Sequence, residues 1–260
     1  MKRRYLIVSE GETDYEVLRG IISEHAKNVG WTAKVEAFFP GIGKHKKDGG
    51  WSNLKSWCTE HSRDLSGTRN LSAAAAALGA PQTGTPANPI RKDKLAAALK
   101  LQAPYSYTTF IIQLDTDVAE DYMKDTIFSQ LLLPLSTNDR KRIGEAALDS
   151  WLGGHTQKKN GQGIIYCVST HAIETFLLAN HDQAQVQVAL NGNLSSTDYD
   201  NVPSPDQALI NLGYTPEIKN GKQVLKKTTS KYRTYANKFG NNLQAARQRS
   251  SGLNTLLVSL

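Results

Sequence analysis

Short apolar runs, separated by longer amphipathic stretches, form the main pattern of this chain. The runs Tyr5–Val8, Phe110–Leu114 and Ile164–Val168 have the length and composition of strands that are buried on both faces. Thr32–Phe39 alternates between apolar and polar positions, which predicts a further strand that ends before Pro40. Because these strands alternate with helical patterns, we expect an α/β fold with a mostly parallel central sheet and helices on both faces.

Helical periodicity characterises the segments between and after the strands. Behind the first strand, Thr13 and Glu16 have the spacing of a helix-capping box. The helix that follows is predicted to place five apolar residues on one face, namely Tyr15, Leu18, Ile21, Ile22 and Val29. Further helices are predicted at Trp51–Leu65, Arg91–Gln102, Asp125–Leu135, Asp139–Leu152, Ser204–Leu212 and Tyr232–Arg249.

Acidic residues follow two of the apolar runs directly. Glu10 ends the first strand, Asp14 lies in the first turn of the next helix, and Asp115 and Asp117 end the run Phe110–Leu114. Residues two apart in a strand face the same side, so Asp115 and Asp117 are predicted to point at one ion together. Carboxylates at strand ends repel one another unless a cation or a shared proton neutralises them. Mg²⁺ or Mn²⁺ is the expected cation, and phosphate chemistry the expected use.

A structural alternative explains the first two acidic residues without a metal. Asp14 at the start of a helix complements the helix dipole, and Glu10 in a loop can simply be solvated. The second acidic pair favours the metal site, because an Asp-x-Asp that directly ends a buried strand is less common than one in a surface turn.

These motifs together resemble the Toprim domain of topoisomerases, bacterial primases and nucleases of the overcoming-lysogenization-defect (OLD) family. The resemblance consists of an apolar strand followed by Glu10–Asp14 and a later strand followed by Asp115–Asp117. The first motif is most similar to the OLD branch and to stand-alone Toprim proteins of phage-defence systems such as PARIS. A third block, Ile164–Val168 followed by Ile173–Ala179, is similar to a segment of those stand-alone proteins in which the Glu joins the metal site.

The resemblance implies a Mg²⁺- or Mn²⁺-dependent nuclease that hydrolyses phosphodiester bonds of DNA or RNA, tRNA included, in anti-phage defence. It implies that one or two metal ions are held by Glu10, Asp14, Asp115, Asp117 and Glu174. Of these residues, Glu10, Asp115 and Asp117 are expected to be catalytic. Lys231 is the candidate for charge stabilisation, because a late Ser-Lys in related nucleases resembles Ser230-Lys231. A Lys in so basic a stretch is otherwise a plain phosphate-contact or surface residue.

Two other function classes stay open at this level. One is a regulatory or dormant Toprim subunit that a separate ABC/OLD-type ATPase partner controls, because no ATPase motif is present in this chain. The other is a nucleotide-binding phosphohydrolase, which the long basic segment described next disfavours. A homodimer is a further expectation.

Positive charge is concentrated near the C-terminus. The chain has a net charge of +7, and Ile218–Leu260 holds nine Lys and Arg but no Asp or Glu, so the rest of the chain sums to about −2. Tyr232, Tyr235 and Phe239 are interleaved with these bases, which suits phosphate contacts and base stacking in nucleic acid. The alternative is a solvated basic helix. The predicted nucleic-acid contacts are Lys226, Lys227 and Arg233, together with Lys44, Lys46 and Lys47 in an earlier basic loop.

The length of 260 residues suits one large domain or a core domain with an appendage. We expect a catalytic domain over 1–180, with a flexible Ala-, Gly- and Pro-containing insertion at about 66–90, and a basic extension over 181–260 packed on it. No stretch has transmembrane length, and Cys58 and Cys167 lie far apart, which implies no disulfide framework. A cytoplasmic location is the expectation.

Overall fold

Four parallel strands form the centre of the computed structural model, which describes residues 2–40, 49–66, 107–154, 163–194 and 196–260. The strands are β1 (Lys2–Val8), β2 (Thr32–Phe39), β3 (Tyr107–Asp115) and β4 (Gly163–Ser169), in the spatial order β2-β1-β3-β4. All neighbouring pairs run parallel. The predicted α/β class with a parallel central sheet is confirmed.

Helices cover both faces of this sheet. In chain order they are α1 (Glu12–Asn28), α2 (Trp51–Ser66), α3 (Ala119–Tyr122), α4 (Thr137–Trp151), α5 (Glu174–Ala179), α6 (Gln183–Ala189), α7 (Pro205–Asn211), α8 (Thr229–Ala236), α9 (Leu243–Arg249) and α10 (Ser251–Ser259). Short 3-10 turns lie at Met123–Asp125, Tyr199–Asn201 and Asn237–Asn242. An antiparallel hairpin, β5 (Pro216–Lys219) and β6 (Lys222–Leu225), precedes α8. Neither this hairpin nor α10 is among the elements predicted from the sequence.

Alternating side chains of the strands pack into two hydrophobic cores, one on each face of the sheet. Tyr5 and Ile7 of β1 pack with α1 and with the helices α5 to α10 on one face. Leu6 and Val8 of the same strand pack with α2, α3 and α4 on the other face. The period of two along a strand therefore places every second residue in each core, which explains why the strands are almost continuously apolar.

The strand order places a topological switch point between β1 and β3. From β1 the chain passes through α1 to β2 on one side of it, and later enters β3 on its other side. In open α/β sheets, ligands bind in the crevice that such a reversal opens at the carboxyl ends of the strands. Glu10 follows β1 at this crevice, and Asp115 is the last residue of β3.

Several helix predictions are confirmed, and others are wrong. Helices lie close to the predicted bounds at α1, α2, α4 and α7. The capping box is absent, because α1 begins at Glu12 with Gly11 as its N-cap, and Val29 lies exposed just beyond its end. The helix predicted over 125–135 is replaced by turns in which Ile127 and Leu132 are exposed, so this segment buries no helical face. The helix predicted over 232–249 is interrupted at Gly240, whose φ of 18° and ψ of −120° are not helical.

The C-terminal helices share a core with the central sheet. Helix α8 lies against α1, where Gly20 allows an approach so close that a Cβ there would stand 2.6 Å from Cβ of Ala236. Leu256 and Leu257 of α10 join the same core as Tyr5 and Ile7. Both the predicted insertion at about 66–90, beyond Ser66, and the helix predicted at 91–102 lie outside the described residues. Within the described part of the chain, no helix combines the length and apolarity that a membrane crossing requires.

Candidate functional site

Glu10 connects the ends of the two central strands. Its backbone N–H donates to Oε1 of Gln113 in β3 at 3.3 Å, and its own Oε1 accepts the backbone N–H of Asp115 at 2.8 Å. One residue earlier, the N–H of Ser9 donates to the carbonyl of Phe39 at the end of β2. Glu10 is thus held at the crevice between β1 and β3 by contacts to the backbone as well as to side chains.

Residues just before α2 also pack against the tip of β1. The N–H of Gly50 donates to the carbonyl of Glu10 at 2.8 Å, and a Cβ on Gly49 would lie 2.2 Å from the same oxygen. Only glycine fits at position 49, because any other side chain would collide with this backbone. The described residues on either side of the gap at 41–48 therefore lie beside Glu10. The predicted contacts Lys44, Lys46 and Lys47 fall within that gap, outside the described residues.

Asp115 is the buried carboxylate of the site. Its Oδ1 accepts a hydrogen bond from Nε2 of Gln113 at 2.6 Å, and its carbonyl accepts one from the hydroxyl of Tyr122 at 2.8 Å. Gln113 is itself fully buried, so its amide holds Asp115 on one side and the backbone of Glu10 on the other. Gln113 is not among the predicted site residues, although one polar residue within an otherwise apolar strand is a signal for such a role.

Asp117 differs from its predicted placement. Strand β3 ends at Asp115, so Asp117 lies in the following turn, not on the same strand face, and it is exposed. The turn is held by Thr116, whose N–H donates to the carbonyls of Ser169, the last residue of β4, and of His171 in the loop that follows. The Oγ1 of Thr116 accepts the N–H of His171 in return. These bonds fix Asp117 between the loops that follow β3 and β4.

Asp14 and Glu174 complete the group of carboxylates from the side of the helices. Asp14 is buried in the first turn of α1, and Glu174 is the fully buried first residue of α5. Oε1 of Glu174 accepts a hydrogen bond from the hydroxyl of Tyr232 and pairs with Nζ of Lys227 at 2.9 Å. Its other oxygen, Oε2, is buried without a hydrogen-bond partner among the described residues.

Burial and mutual repulsion raise the pKa values of four of these acids. Burial, reinforced by Asp14 and Asp117, raises the pKa of Glu10 from 4.5 to about 8. Burial and the charge of Glu174 raise the pKa of Asp14 from 3.8 to about 7. The pKa of Asp115 lies well above its ordinary value through burial and the charges of Asp14 and Glu10, and partial burial raises that of Asp117. These residues therefore form one electrostatic unit, which we call the carboxylate cluster: Glu10, Asp14, Asp115, Asp117 and Glu174.

Lys227 is the cation of this cluster. Burial by itself would lower its pKa, but Glu174, Asp115 and Asp14 raise it above its ordinary value. Lys227 also lowers the pKa of Glu10 and of Asp117, so its charge acts across the whole site. The sequence patterns predicted Lys227 as a nucleic-acid contact and gave no sign of its pairing with Glu174, which lies 53 residues earlier in the chain.

Lys231, the lysine that the resemblance favoured, lies elsewhere. It is exposed on α8 and forms no hydrogen bond or ion pair within the part of the chain that the structure describes. Its neighbour Tyr232 points the other way, to Glu174. The structure thus brings Lys227 to the carboxylates and leaves Lys231 on the surface.

The other bases of the C-terminal segment have varied roles. Arg233 pairs with the buried Glu16 of α1 at 2.7 and 3.2 Å, so its predicted place among free phosphate contacts is taken by a structural ion pair. Lys238 lies over the ring of Tyr214. The predicted stacking of bases on Tyr232, Tyr235 and Phe239 is wrong, because all three rings are buried in the core.

The donors of the carboxylate cluster fit a hard divalent cation in their chemistry. Carboxylate oxygens are the preferred ligands of Mg²⁺, and the unpartnered, buried Oε2 of Glu174 lacks a donor or a cation among the described residues. Within the same part of the chain, however, no three such side chains already stand together as a metal-binding group. Metal binding at this site would therefore require the carboxylates to move closer together.

Comparison with protein-family models, with curated proteins and with solved structures finds no match to this chain.

Proposed function

We propose that this protein is a Mg²⁺- or Mn²⁺-dependent phosphodiesterase with a Toprim-like domain, and that it cleaves nucleic acid. One observation supports this proposal above all. The carboxylate cluster gathers acidic residues that follow β1, β3 and β4 at the topological switch point, where Oε1 of Glu10 accepts the backbone N–H of Asp115 and Oε2 of Glu174 is buried without a hydrogen-bond partner among the described residues. Clefts of this composition serve phosphoryl chemistry through divalent cations.

Charge balance supports the need for a metal. When all five acids are ionised, the cluster carries −5 against the positive charge of Lys227. The other nearby cation, Arg140, donates to the carbonyl of Asp117 but is offset by its ion pair with Glu120. A phosphodiester would be repelled from this site unless cations reduced that charge. Glu10, Asp14, Asp115, Asp117 and Glu174 would hold Mg²⁺ or Mn²⁺, which when bound supplies Lewis-acid activation of water and charge stabilisation.

The residues of the chain supply the remaining steps. Glu10, whose pKa lies near neutrality in the absence of metal, is placed to accept a proton or donate one to the leaving oxygen. Lys227 is placed to oppose negative charge on the phosphate oxygens as it develops in the transition state. Gln113 keeps Glu10 and Asp115 in fixed positions relative to each other. Lys231, first considered for charge stabilisation, is better suited to contact phosphates outside the cluster.

Nucleic acid is the proposed substrate because of the surface around the site. Exposed or half-exposed bases precede and follow Lys227, namely Lys219, Lys222, Lys226 and Lys231. Such bases neutralise the phosphates of a long polyanion, whereas a mononucleotide would need few of them. The proposed role in anti-phage defence and the ATPase partner rest on the similarity of the motifs to OLD-like and stand-alone Toprim proteins. A cytoplasmic location and a homodimer are further proposals.

A dormant or regulatory subunit is the second candidate, and one observation favours it. Lys227 is paired with Glu174, and no three acidic side chains of the described residues are yet arranged around a metal. A partner protein, the proposed ATPase, would in that case release the lysine and allow the carboxylates to close around the metal.

Incubation of the purified protein with plasmid, single-stranded DNA, tRNA and total RNA tests these candidates. We expect cleavage with Mg²⁺ or Mn²⁺ and none with EDTA. Asp115→Asn is the matched control, because its amide oxygen can still accept the hydrogen bond from Gln113 while a charge is lost. Metal binding without cleavage of any substrate would favour the dormant subunit. Cleavage that persists in EDTA or in Asp115→Asn would contradict the proposed chemistry, and hydrolysis of nucleotides alone would favour a phosphohydrolase.

A further inference from the structure

Lys227 and the Glu174 carboxylate differ greatly in their freedom to move. Glu174 has a side chain that is only 1% exposed, and the hydroxyl of Tyr232 holds the same oxygen that Lys227 contacts. The side chain of Lys227 is 52% exposed and ends in a flexible ammonium group. The ammonium group can therefore move from Glu174 towards a bound phosphate, whereas the carboxylate cannot move.

The two oxygens of Glu174 also differ. Oε1 is occupied by Tyr232 and Lys227, while Oε2 is buried and has no hydrogen-bond partner among the described residues. A buried ionised oxygen without a partner is costly, and the positive charge of Lys227 is what offsets that cost in this arrangement. A divalent cation at the cluster would offset it better and would repel the ammonium group.

We propose that Lys227 is an internal counter-ion of the carboxylate cluster, which occupies Glu174 in the metal-free protein and gives way when a divalent cation binds. This inference rests on the proposed metal site and adds a competition within it. Tyr232 keeps Glu174 in place during the exchange, because its hydroxyl is buried and does not depend on the charge of Lys227.

If Lys227 competes with the metal, its removal should raise the affinity for metal, whereas removal of an ordinary structural residue should lower it. Loss of a residue that merely orders the site would weaken metal binding. Loss of a competing cation should strengthen it, because the metal no longer has to displace a positive charge. The same change should lower the stability of the metal-free protein, where the cluster loses the positive charge that pairs with Glu174.

Calorimetric titration with Mn²⁺, at fixed pH and ionic strength, tests the inference on the full chain. For Lys227→Met we expect a Mn²⁺ dissociation constant ~10-fold or more below that of the wild type, since a unit charge a few ångströms from a divalent cation is removed. Lys226→Met is the matched control, because Lys226 is the adjacent lysine and forms no ion pair among the described residues. It should change the constant by no more than about twofold, as expected of a screened charge.

Lys227→Arg and Tyr232→Phe separate charge from packing. The arginine keeps the competing charge and should bind Mn²⁺ about as the wild type does. Tyr232→Phe keeps Lys227 but removes a hydrogen bond from Glu174, so it should not tighten Mn²⁺ binding. Should Lys227→Met fold poorly, Lys227→Gln is the replacement, and thermal unfolding in EDTA confirms the folded state of each variant.

The outcomes separate this inference from the proposed function. Equal or weaker Mn²⁺ binding by Lys227→Met, with clear binding by the wild type, would overturn the proposal that Lys227 is a counter-ion and would leave the proposed metal site intact. Absence of Mn²⁺ binding in every variant would overturn both. Tighter binding in Lys227→Met, with Lys226→Met unchanged, is the result that the inference requires.

Discussion

At the scale of single residues, Glu10 combines partial burial with a backbone hydrogen bond. Its Oε1 accepts the N–H of Asp115 at 2.8 Å, which favours the ionised form, yet burial and the neighbouring acids outweigh this bond and raise its pKa. A carboxyl group with a pKa close to neutrality can exchange protons under physiological conditions. The same residue is also a potential metal ligand, so the protonation of Glu10 and metal binding should be coupled.

The substitution Glu10→Gln should separate chemistry from folding. The amide oxygen of Gln can still accept the N–H of Asp115, while one negative charge leaves a cluster that repels itself. We expect nuclease activity to disappear and the free energy of unfolding in EDTA at pH 8 to stay equal or rise. Activity assays and urea denaturation check this. A marked loss of stability would show that the charge of Glu10 has a structural role.

The pH dependence of stability follows from the sign of the same pKa shift. Because the folded-state pKa of Glu10 lies near 8 and its ordinary value is 4.5, its contribution is complete below about pH 4.5 and is lost as the pH rises through the folded value. In EDTA, Glu10→Gln should therefore gain stability relative to the wild type from about pH 4.5, and the difference should level off above about pH 8. The comparison cancels the histidines, which both proteins share. A difference that is flat across this range would contradict the burial of Glu10.

At the scale of elements, the contact between α1 and α8 assembles the site. Gly20 of α1 lets α8 approach so closely that Lys227, just before α8, and Tyr232 within it reach Glu174 of α5. The buried Glu16 of α1 binds Arg233 of α8 and strengthens the same contact. The acidic residues lie at the ends of strands and at the start of helices, whereas the position of their positive partner, Lys227, depends on how α8 packs against α1.

Gly20→Ala should destabilise the protein in spite of the better helix propensity of alanine. The new methyl group would stand 2.6 Å from Cβ of Ala236, and such overpacking costs ~1–3 kcal/mol, against ~1 kcal/mol gained from propensity. We expect a lower denaturation midpoint. Adding Ala236→Gly removes the nearest atom and should couple favourably with Gly20→Ala in a double-mutant cycle. Additive effects of the two changes would mean that the helices do not meet at this point.

At the scale of the whole molecule, opposite charges are separated into the largely buried carboxylate cluster and a basic surface. The carboxylate cluster is negative, while the segment from Ile218 onward contains no acidic residue. An acidic cleft alone would repel a polyanion, so the basic surface has to supply attraction over a longer range. Arg233 does not belong to that surface in function, because Glu16 holds it.

Salt dependence of nucleic-acid binding should distinguish the two kinds of base. Neutralising Lys226 or Lys231 should reduce the slope of log K against log salt by nearly one unit for each phosphate that the variant no longer neutralises, about 0.9 on duplex DNA. Arg233→Gln should leave the slope unchanged and lower the stability instead. The measurement is a salt titration of binding by fluorescence anisotropy. A change of slope in Arg233→Gln would show that Arg233 does contact phosphates.

Turnover should separate Lys227 from Lys231. If Lys227 stabilises charge in the transition state, Lys227→Ala should lower turnover ~100-fold or more. Lys231→Ala should weaken binding and leave turnover nearly intact, since its ammonium group lies outside the cluster. Single-turnover cleavage at saturating enzyme measures the difference. The reverse order of effects would support Lys231 as the residue that stabilises charge in the transition state.

Local patterns determined much of the fold and the acidic half of the site. The strands β1 to β4 and the helices α1, α2 and α4 could be predicted from apolar runs and helical periodicity. Neighbouring residues alone show which positions of such an element are buried. Carboxylates at strand ends could be placed at one edge for the same reason, since parallel strands end together. The turns at 126–135 could not be predicted from local patterns, because the sequence does not show what a run of leucines beside Pro134 packs against.

Tertiary structure alone decided which distant residues serve the cluster. The choice of Lys227 over Lys231 depends on how α8 docks on α1, and four positions along the chain separate a paired lysine from an exposed one. The burial of Tyr232, Tyr235 and Phe239 depends on the same docking, which turned expected stacking surfaces into core. Gln113 gained its role only when β1 and β3 became neighbours. Sequence periodicity reports whether a residue is buried, but the identity of its partner is set by packing between elements far apart in the chain.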